Sequence, residues 1–200
     1  MIPAVVLAAG LSSRMGRLKA TLPLDRNDTF LTRIVRTLLA AGVEDVVVVA
    51  GYEAGAVRAV VEASGLPARF VVNERYREGQ LSSLLAGLEA VHRPGVQAML
   101  LTLVDVPLVS VETASAVLAR YRATRAPIVR PVHGGLHGHP IVIDRSIFDL
   151  LRHADREQGA KPVVRAYATP AGDVEVQDEG AFLDIDTPAD YQRITKGRTD

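Results

Sequence analysis

The chain has 200 residues, and its 23 lysines and arginines are balanced by 23 aspartates and glutamates to a formal net charge of zero. That balance argues against general nucleic-acid binding or attraction to a membrane surface, and the lack of cysteine excludes disulfides and thiolate metal sites. No basic segment precedes the first apolar run and no run approaches the ~18 residues of a membrane span, so a cytoplasmic protein is expected, with one domain over residues 1–196 and a frayed tail at 197–200.

Residues Ile2 to Ala8 form an apolar run that reads as a buried parallel strand. It breaks into a loop of small residues carrying Gly10 and Gly16, with Arg14 and Lys19 set among them on what reads as a solvated stretch. Small residues let the backbone approach a ligand closely, and a guanidinium and an ammonium in one loop supply countercharge for a polyphosphate. The loop fits neither G-x-G-x-x-G nor the P-loop, because Lys19 precedes Ala20 and does not follow a glycine. On the residues alone, a triphosphate cradle and an ordinary strand-to-helix loop with two basic side chains both stand.

Beyond the loop, Phe30, Leu31, Ile34, Val35, Leu38 and Leu39 recur at helical spacing, and Gly42 closes that helix. A valine-rich strand over 45–50, a helix over 54–64 stopped by Gly65 and Pro67, and a short strand over 69–72 follow. This alternation favours a parallel sheet with helices on both faces. A polar loop from Asn73 then runs into a helix whose opening turn holds Gly79, Ser82 and Ser83, residues that can cap the helix or hold a ligand.

The apolar strand 98–104 ends at Asp105, followed by Val106-Pro107. An acid where a buried strand emerges is costly unless paired or metal-bound, and in open α/β sheets ligands bind beyond the carboxyl ends of strands. Capping of a turn before proline is the competing reading. Ser110 opens another helix to about Ala123, and strands over 128–132 and 141–143 flank His133, His137 and His139. Their H-x-x-x-H-x-H spacing lies on a glycine loop and lacks a helical zinc-binding face. Asp144 is expected to cap the helix that follows. Residues 182–186 read as a strand with Asp184 and Asp186 on one face, and Thr187-Pro188 starts a helix.

Five stretches together resemble the MobA-like nucleotidyltransferases, most closely the molybdenum cofactor cytidylyltransferase branch. They are LAAGLSSRMGRLKATLP from Leu7, G-x-x-x-S-L-x-x-G-L from Gly79, L-x-D-x-P around Asp105, Gly138-His139-Pro140, and Asp184-Ile185-Asp186-Thr187-Pro188. Glu74 stands where the family often has proline, Val106 where it has a polar residue, and His137 where many members have arginine; Asp155 lies farther from Gly159 than usual. The resemblance implies a three-layer α/β/α sandwich on a mainly parallel, Rossmann-like sheet of the nucleotide-diphospho-sugar transferase type, with an antiparallel strand.

It further implies magnesium-dependent transfer of a nucleotide from a triphosphate, CTP favoured, to a phosphorylated acceptor such as molybdopterin, with transient contact with a molybdoenzyme. Leu7, Ala8, Ala9, Gly10, Ser12, Ser13, Arg14, Lys19, Gly79, Ser82 and Ser83 would bind the nucleotide. Arg14, Lys19 and Asp105 would carry catalysis. Asp105 and Asp186, with Asp184 as the alternative, would hold the metal, and Gly138, His139 and Pro140 would line the acceptor site. Two other classes are weighed: a nucleotide-cofactor oxidoreductase of NAD(P) type, and a non-catalytic cofactor-insertion chaperone for a molybdoenzyme.

Overall fold

The computed structural model describes residues 1–195. Its strands, in chain order, are β1 (Ala4–Ala8), β2 (Val46–Ala50), β3 (Ala68–Val72), β4 (Ala98–Leu103), β5 (Ile128–His133), β6 (Leu136–His137), β7 (Ile141–Asp144) and β8 (Ala168–Glu175). They form one sheet in the order β3-β2-β1-β4-β7-β5-β6, with β8 also paired to β5. The first four run parallel, while β7 is antiparallel to β4 and β5, and β8 is parallel to β5. The α/β fold and its antiparallel strand are as the sequence leads one to expect.

The helices are α1 (Phe30–Ala40), α2 (Ala54–Ser64), α3 (Gln80–Val91), α4 (Val111–Thr124), α5 (Phe148–Arg152), α6 (Lys161–Tyr167) and α7 (Pro188–Thr195). All of β1 is buried because each face is covered. Ala4, Val6 and Ala8 meet the apolar stripes of α1, α2 and α4 on one side. Val5 and Leu7 meet those of α3 and α5 on the other. Thr29 starts α1 through a reciprocal cap with Thr32, and the Ser110 hydroxyl accepts from the Thr113 N–H to start α4. The chain leaves β1 for β2 on one side and returns to β4 on the other, so a crevice opens beyond the carboxyl ends of β1 and β4.

A third apolar cluster lies away from the sheet. Met15, Leu22, Leu24, Phe30 and Ile185 pack with Tyr191 of α7, whose hydroxyl donates to the Pro23 carbonyl at 2.7 Å. The Ile185 N–H donates to the Asp105 carbonyl at 2.8 Å. The C-terminal segment is thereby fastened against both the loop after β1 and the end of β4.

Two elements differ from the sequence reading. Residues 182–186 are not a strand: a 3-10 turn (Glu179–Ala181) leads into irregular chain held to the β4 end by that single backbone bond. Conversely β8, whose first half carries Pro170 in an exposed run, gives no apolar alternation there and forms because β5 offers it a free edge. The expected tail at 197–200 lies outside the described residues.

Gly87 sets the spacing of α3 on the sheet. A Cβ there would lie 2.4 Å from Val5 Cγ1 and 3.1 Å from Val49 Cγ2, both on stiff β-branched side chains. Gly87→Ala is therefore expected to destabilise the protein by about 1–3 kcal/mol through overpacking, despite alanine's better helix propensity. Urea denaturation checks this; a stability gain would mean that α3 can move away from β1 without penalty.

Candidate active site

The loop after β1 turns on Ser12, a non-glycine residue in the left-handed region at φ 51°. Its carbonyl accepts from the N–H groups of Met15 and Gly16 at 3.1 and 3.0 Å, and its hydroxyl accepts from the Lys19 N–H at 3.2 Å. Met15 and Leu18 sink into the apolar interior and draw the end of the loop inward. Lys19 is consequently buried, its side chain 9% exposed, rather than set on a solvated stretch. The sequence shows a basic residue in a polar loop and gives no sign of this inward turn.

The Lys19 ammonium joins two acids from distant parts of the chain. Its Nζ is 2.5 Å from Asp186 Oδ1 and 3.4 Å from Asp105 Oδ2. Since both touch one ammonium, these oxygens are at most about 6 Å apart, within the range over which charges strongly influence each other. The second oxygen of Asp186 forms an ion pair with Arg14 Nη1 at 2.8 Å, and Arg14 is otherwise largely in solvent, 71% exposed. Asp105 Oδ1 is buried and, among the described residues, has no hydrogen-bond partner.

These groups share a cavity of roughly 370 Å³ in the crevice between β1 and β4. Residues 7–10, 12–14 and 19 line it on one side, Gly79 and Ser83 at the start of α3 on another, and Asp105 and Asp186 at its floor. Tyr76, Arg77 and Gln80 also face it, though nothing in the sequence singles them out. The Arg77 guanidinium lies 5.6 Å from the Tyr76 ring centre and, among the described residues, has no acidic partner. It is thus a further cation available to an anionic ligand.

Several expected site residues stand behind this wall. Ser82 is engaged by its own turn: its hydroxyl accepts from Asn73 Nδ2 at 2.9 Å and lies 2.8 Å from the Gly79 carbonyl. Buried Asn73 also donates to Ser83 at 3.0 Å, so it fixes the start of α3, a role its place in a polar loop conceals. Gly138, His139 and Pro140 lie outside the cavity. A Cβ on Gly138 would come within 2.3 Å of the Ala181 carbonyl, and the His139 N–H donates to that same oxygen at 2.8 Å.

Part of His139 reaches the surface, but protein encloses its ring, and this desolvation holds its pKa below the ordinary histidine value against the opposing pulls of the Leu101 carbonyl and of Asp105. Of the other two histidines in the H-x-x-x-H-x-H stretch, His133 contacts Glu175 at 3.1 Å and His137 lies on exposed β6. Asp184 presents a solvent-exposed edge outside the cavity wall, yet crowding by protein and the charges of Asp105 and Asp186 raise its carboxyl above the usual range.

The donor set suits a hard divalent cation. Two carboxylates meet, one with a buried unpartnered oxygen, and magnesium takes few protein carboxylates beside water and phosphate oxygens. Among the described residues no group of three histidines, cysteines or acids is placed to hold a metal ion by itself. No helix among those residues is long and apolar enough to cross a membrane.

Comparison with known proteins adds to this geometry. The family model for the MobA-like NTP transferase domain matches residues 4–171. A nicotine blue oxidoreductase from Paenarthrobacter nicotinovorans is 33% identical, with 96% of each chain covered. The molybdenum cofactor cytidylyltransferase of Escherichia coli K12 is 26% identical over 95% of this chain and 93% of its own. The crystal structure of Rv0371c from Mycobacterium tuberculosis H37Rv superposes with a TM-score of 0.81 at 30% identity over 98% of both chains. A manganese complex of Rv0371c gives 0.77 at 29% identity, again over 98% of both.

Lys19→Met removes the buried cation and leaves Asp105 and Asp186 balanced by exposed Arg14 alone. A loss of about 1–3 kcal/mol in metal-free stability is expected, the usual scale for stranding a polar partner. Thermal denaturation in a chelator measures it. An unchanged melting temperature would show that the ammonium does not balance the acids.

Proposed function

The chain belongs to the MobA-like NTP transferase family, whose enzymes are nucleotidyltransferases, and from that membership we propose that it transfers CMP from CTP to a phosphorylated, molybdopterin-like acceptor. The observation that carries this reading is the meeting of Arg14, Lys19, Asp105 and Asp186 at one cavity. Four charged groups from three stretches of chain converge where a triphosphate would need both countercharge and a metal.

In the proposed reaction an acceptor phosphate oxygen attacks the α-phosphorus in line. A new P–O bond forms as the bond to the bridging oxygen breaks, and pyrophosphate leaves. A phosphate nucleophile is already ionised, so no general base is needed; orientation and charge stabilisation carry the rate. The loop from Leu7 through Ser13 would cradle the nucleotide, with Gly79 and Ser83 beside the base and ribose and Ser82 bracing that turn. Arg14 and Lys19 would steady the leaving pyrophosphate. Asp105 and Asp186, with Asp184 in place of Asp186 or beside it, would hold magnesium, whose charge would offset that of the phosphates.

Gly138, His139 and Pro140 would face the acceptor from behind β4. Residues 1–196 would act as one catalytic unit in the cytoplasm, passing product in transient contact with a molybdoenzyme. The choice of CTP is supported by Ala9, a buried wall residue standing where guanylyl-transferring relatives tend to have glycine; its methyl narrows the base end.

The 33% identity to a nicotine blue oxidoreductase favours a second reading, reduction of a heteroaromatic substrate by a nicotinamide cofactor in the same cavity. Pyrophosphate release and NADH oxidation, assayed in parallel, separate the two. The transferase reading expects pyrophosphate only with triphosphate, metal and molybdopterin together. Turnover of NADH with no pyrophosphate under any triphosphate would replace it.

Two further outcomes are expected. Calorimetry should find CTP bound more tightly than GTP, and the reverse order would overturn the base assignment. Asp105→Asn should lower metal-dependent turnover by ~10²–10³, the cost typical of losing one preorganised electrostatic contact. Full activity in that variant would remove Asp105 from the machinery.

A further inference from the structure

The position of the Lys19 ammonium has a consequence for how the site fills. It lies against one oxygen of Asp186 at 2.5 Å and one of Asp105 at 3.4 Å, in a side chain only 9% exposed. A divalent cation bridging the two oxygens that face Lys19, Asp105 Oδ2 and Asp186 Oδ1, would need them at about 2.0–2.1 Å if it were magnesium, so it would press against the ammonium. The two cations cannot share those two oxygens. Arg14 is no obstacle, because it approaches Asp186 from the other oxygen and can withdraw into solvent.

We propose that Lys19 is a resident counter-ion competing with the divalent cation for Asp105 and Asp186, so that the free protein binds metal weakly and a triphosphate switches binding on. The second half rests on the nucleotide-binding reading above. Displaced by metal alone, the ammonium would lose its anionic partners in a nearly buried place, which is costly. Phosphate oxygens arriving in the same cavity give it new partners, and the acids are freed for the ion. Lys19 has a flexible four-carbon stem and a compact charge, so a swing between the acid pair and the phosphates needs no rearrangement of the loop. The coupling is reciprocal: the factor by which triphosphate strengthens metal binding equals that by which metal strengthens triphosphate binding.

Free manganese, counted by electron paramagnetic resonance, reports metal affinity directly and without turnover. In the absence of nucleotide, folded Lys19→Gln and Lys19→Met proteins should bind manganese on the order of tenfold more tightly than wild type, within the usual range of coupling between sites. Adding Asp105→Asn to Lys19→Gln should abolish the gain. Folded lysine variants that bind no more tightly than wild type would overturn the competition.

A wild-type measurement guards against variants that fail to fold. With lysines labelled in nitrogen-15, the Lys19 ammonium resonance should move in a magnesium titration with the midpoint of metal binding. A resonance unmoved at saturation would mean that ion and ammonium occupy separate places, and would overturn the proposal. CTP or GTP without metal should also move it. A signal that answers to magnesium but to neither triphosphate would uphold the competition and overturn the nucleotide-driven half.

Discussion

One ammonium between two carboxylates is the constraint on which the rest of this molecule turns. Asp105 comes from the end of β4, Asp186 from the segment before α7, and Lys19 from the loop after β1. Like charges so close repel unless a cation lies between them, so each of the three segments is held in place partly by the others. The apolar cluster of Met15, Leu22, Leu24, Phe30 and Ile185 supplies the complementary force by burying the same segments together. The Ile185 N–H on the Asp105 carbonyl then fixes their register, since it joins one acid-bearing segment to the other through the backbone. Site and local core are therefore one structure.

The central sheet was legible because its strands are buried on both faces. Val46 to Ala50 is apolar at every position, as only a doubly covered strand can be, and glycine and proline mark the ends of the helices between strands. The edges were not. β8 is half exposed and takes its conformation from pairing with β5, so its own residues carry little pattern. The Asp184–Asp186 stretch misled in the opposite way. Its alternation of acid and aliphatic residues is that of a strand, but Ile185 is directed into the cluster beneath the loop and no neighbouring strand receives the backbone.

The site was legible as a set of residues more than as an arrangement. Arg14, Lys19, Asp105 and Asp186 could be picked out by their places in motifs, and they do converge. Their mutual pairing could not be read, because it depends on the left-handed turn at Ser12, and a serine there is no signal of positive φ. Tyr76 and Arg77 escaped notice for a related reason. They sit in a short 3-10 turn with no periodicity, and only the approach of that turn to the β1 loop gives them a cavity to face.

The same geometry bears on which chemistry the cavity is built for. Hydride transfer to a heteroaromatic ring has no need of clustered carboxylates; a pair of acids near the reacting atoms would raise the cost of binding an anionic cofactor. Metal-assisted nucleotidyl transfer can use them, because a metal held by carboxylates can face the charge of the phosphates. Asp105 Oδ1 is buried and has no hydrogen-bond partner among the described residues, a costly arrangement for a carboxylate oxygen. With Arg14, Lys19 and Arg77 at the walls of the same cavity, that oxygen lies next to cationic side chains. A metal–triphosphate pair, positive where it would meet Asp105 and negative where it would meet the basic side chains, is the ligand class that suits both at once.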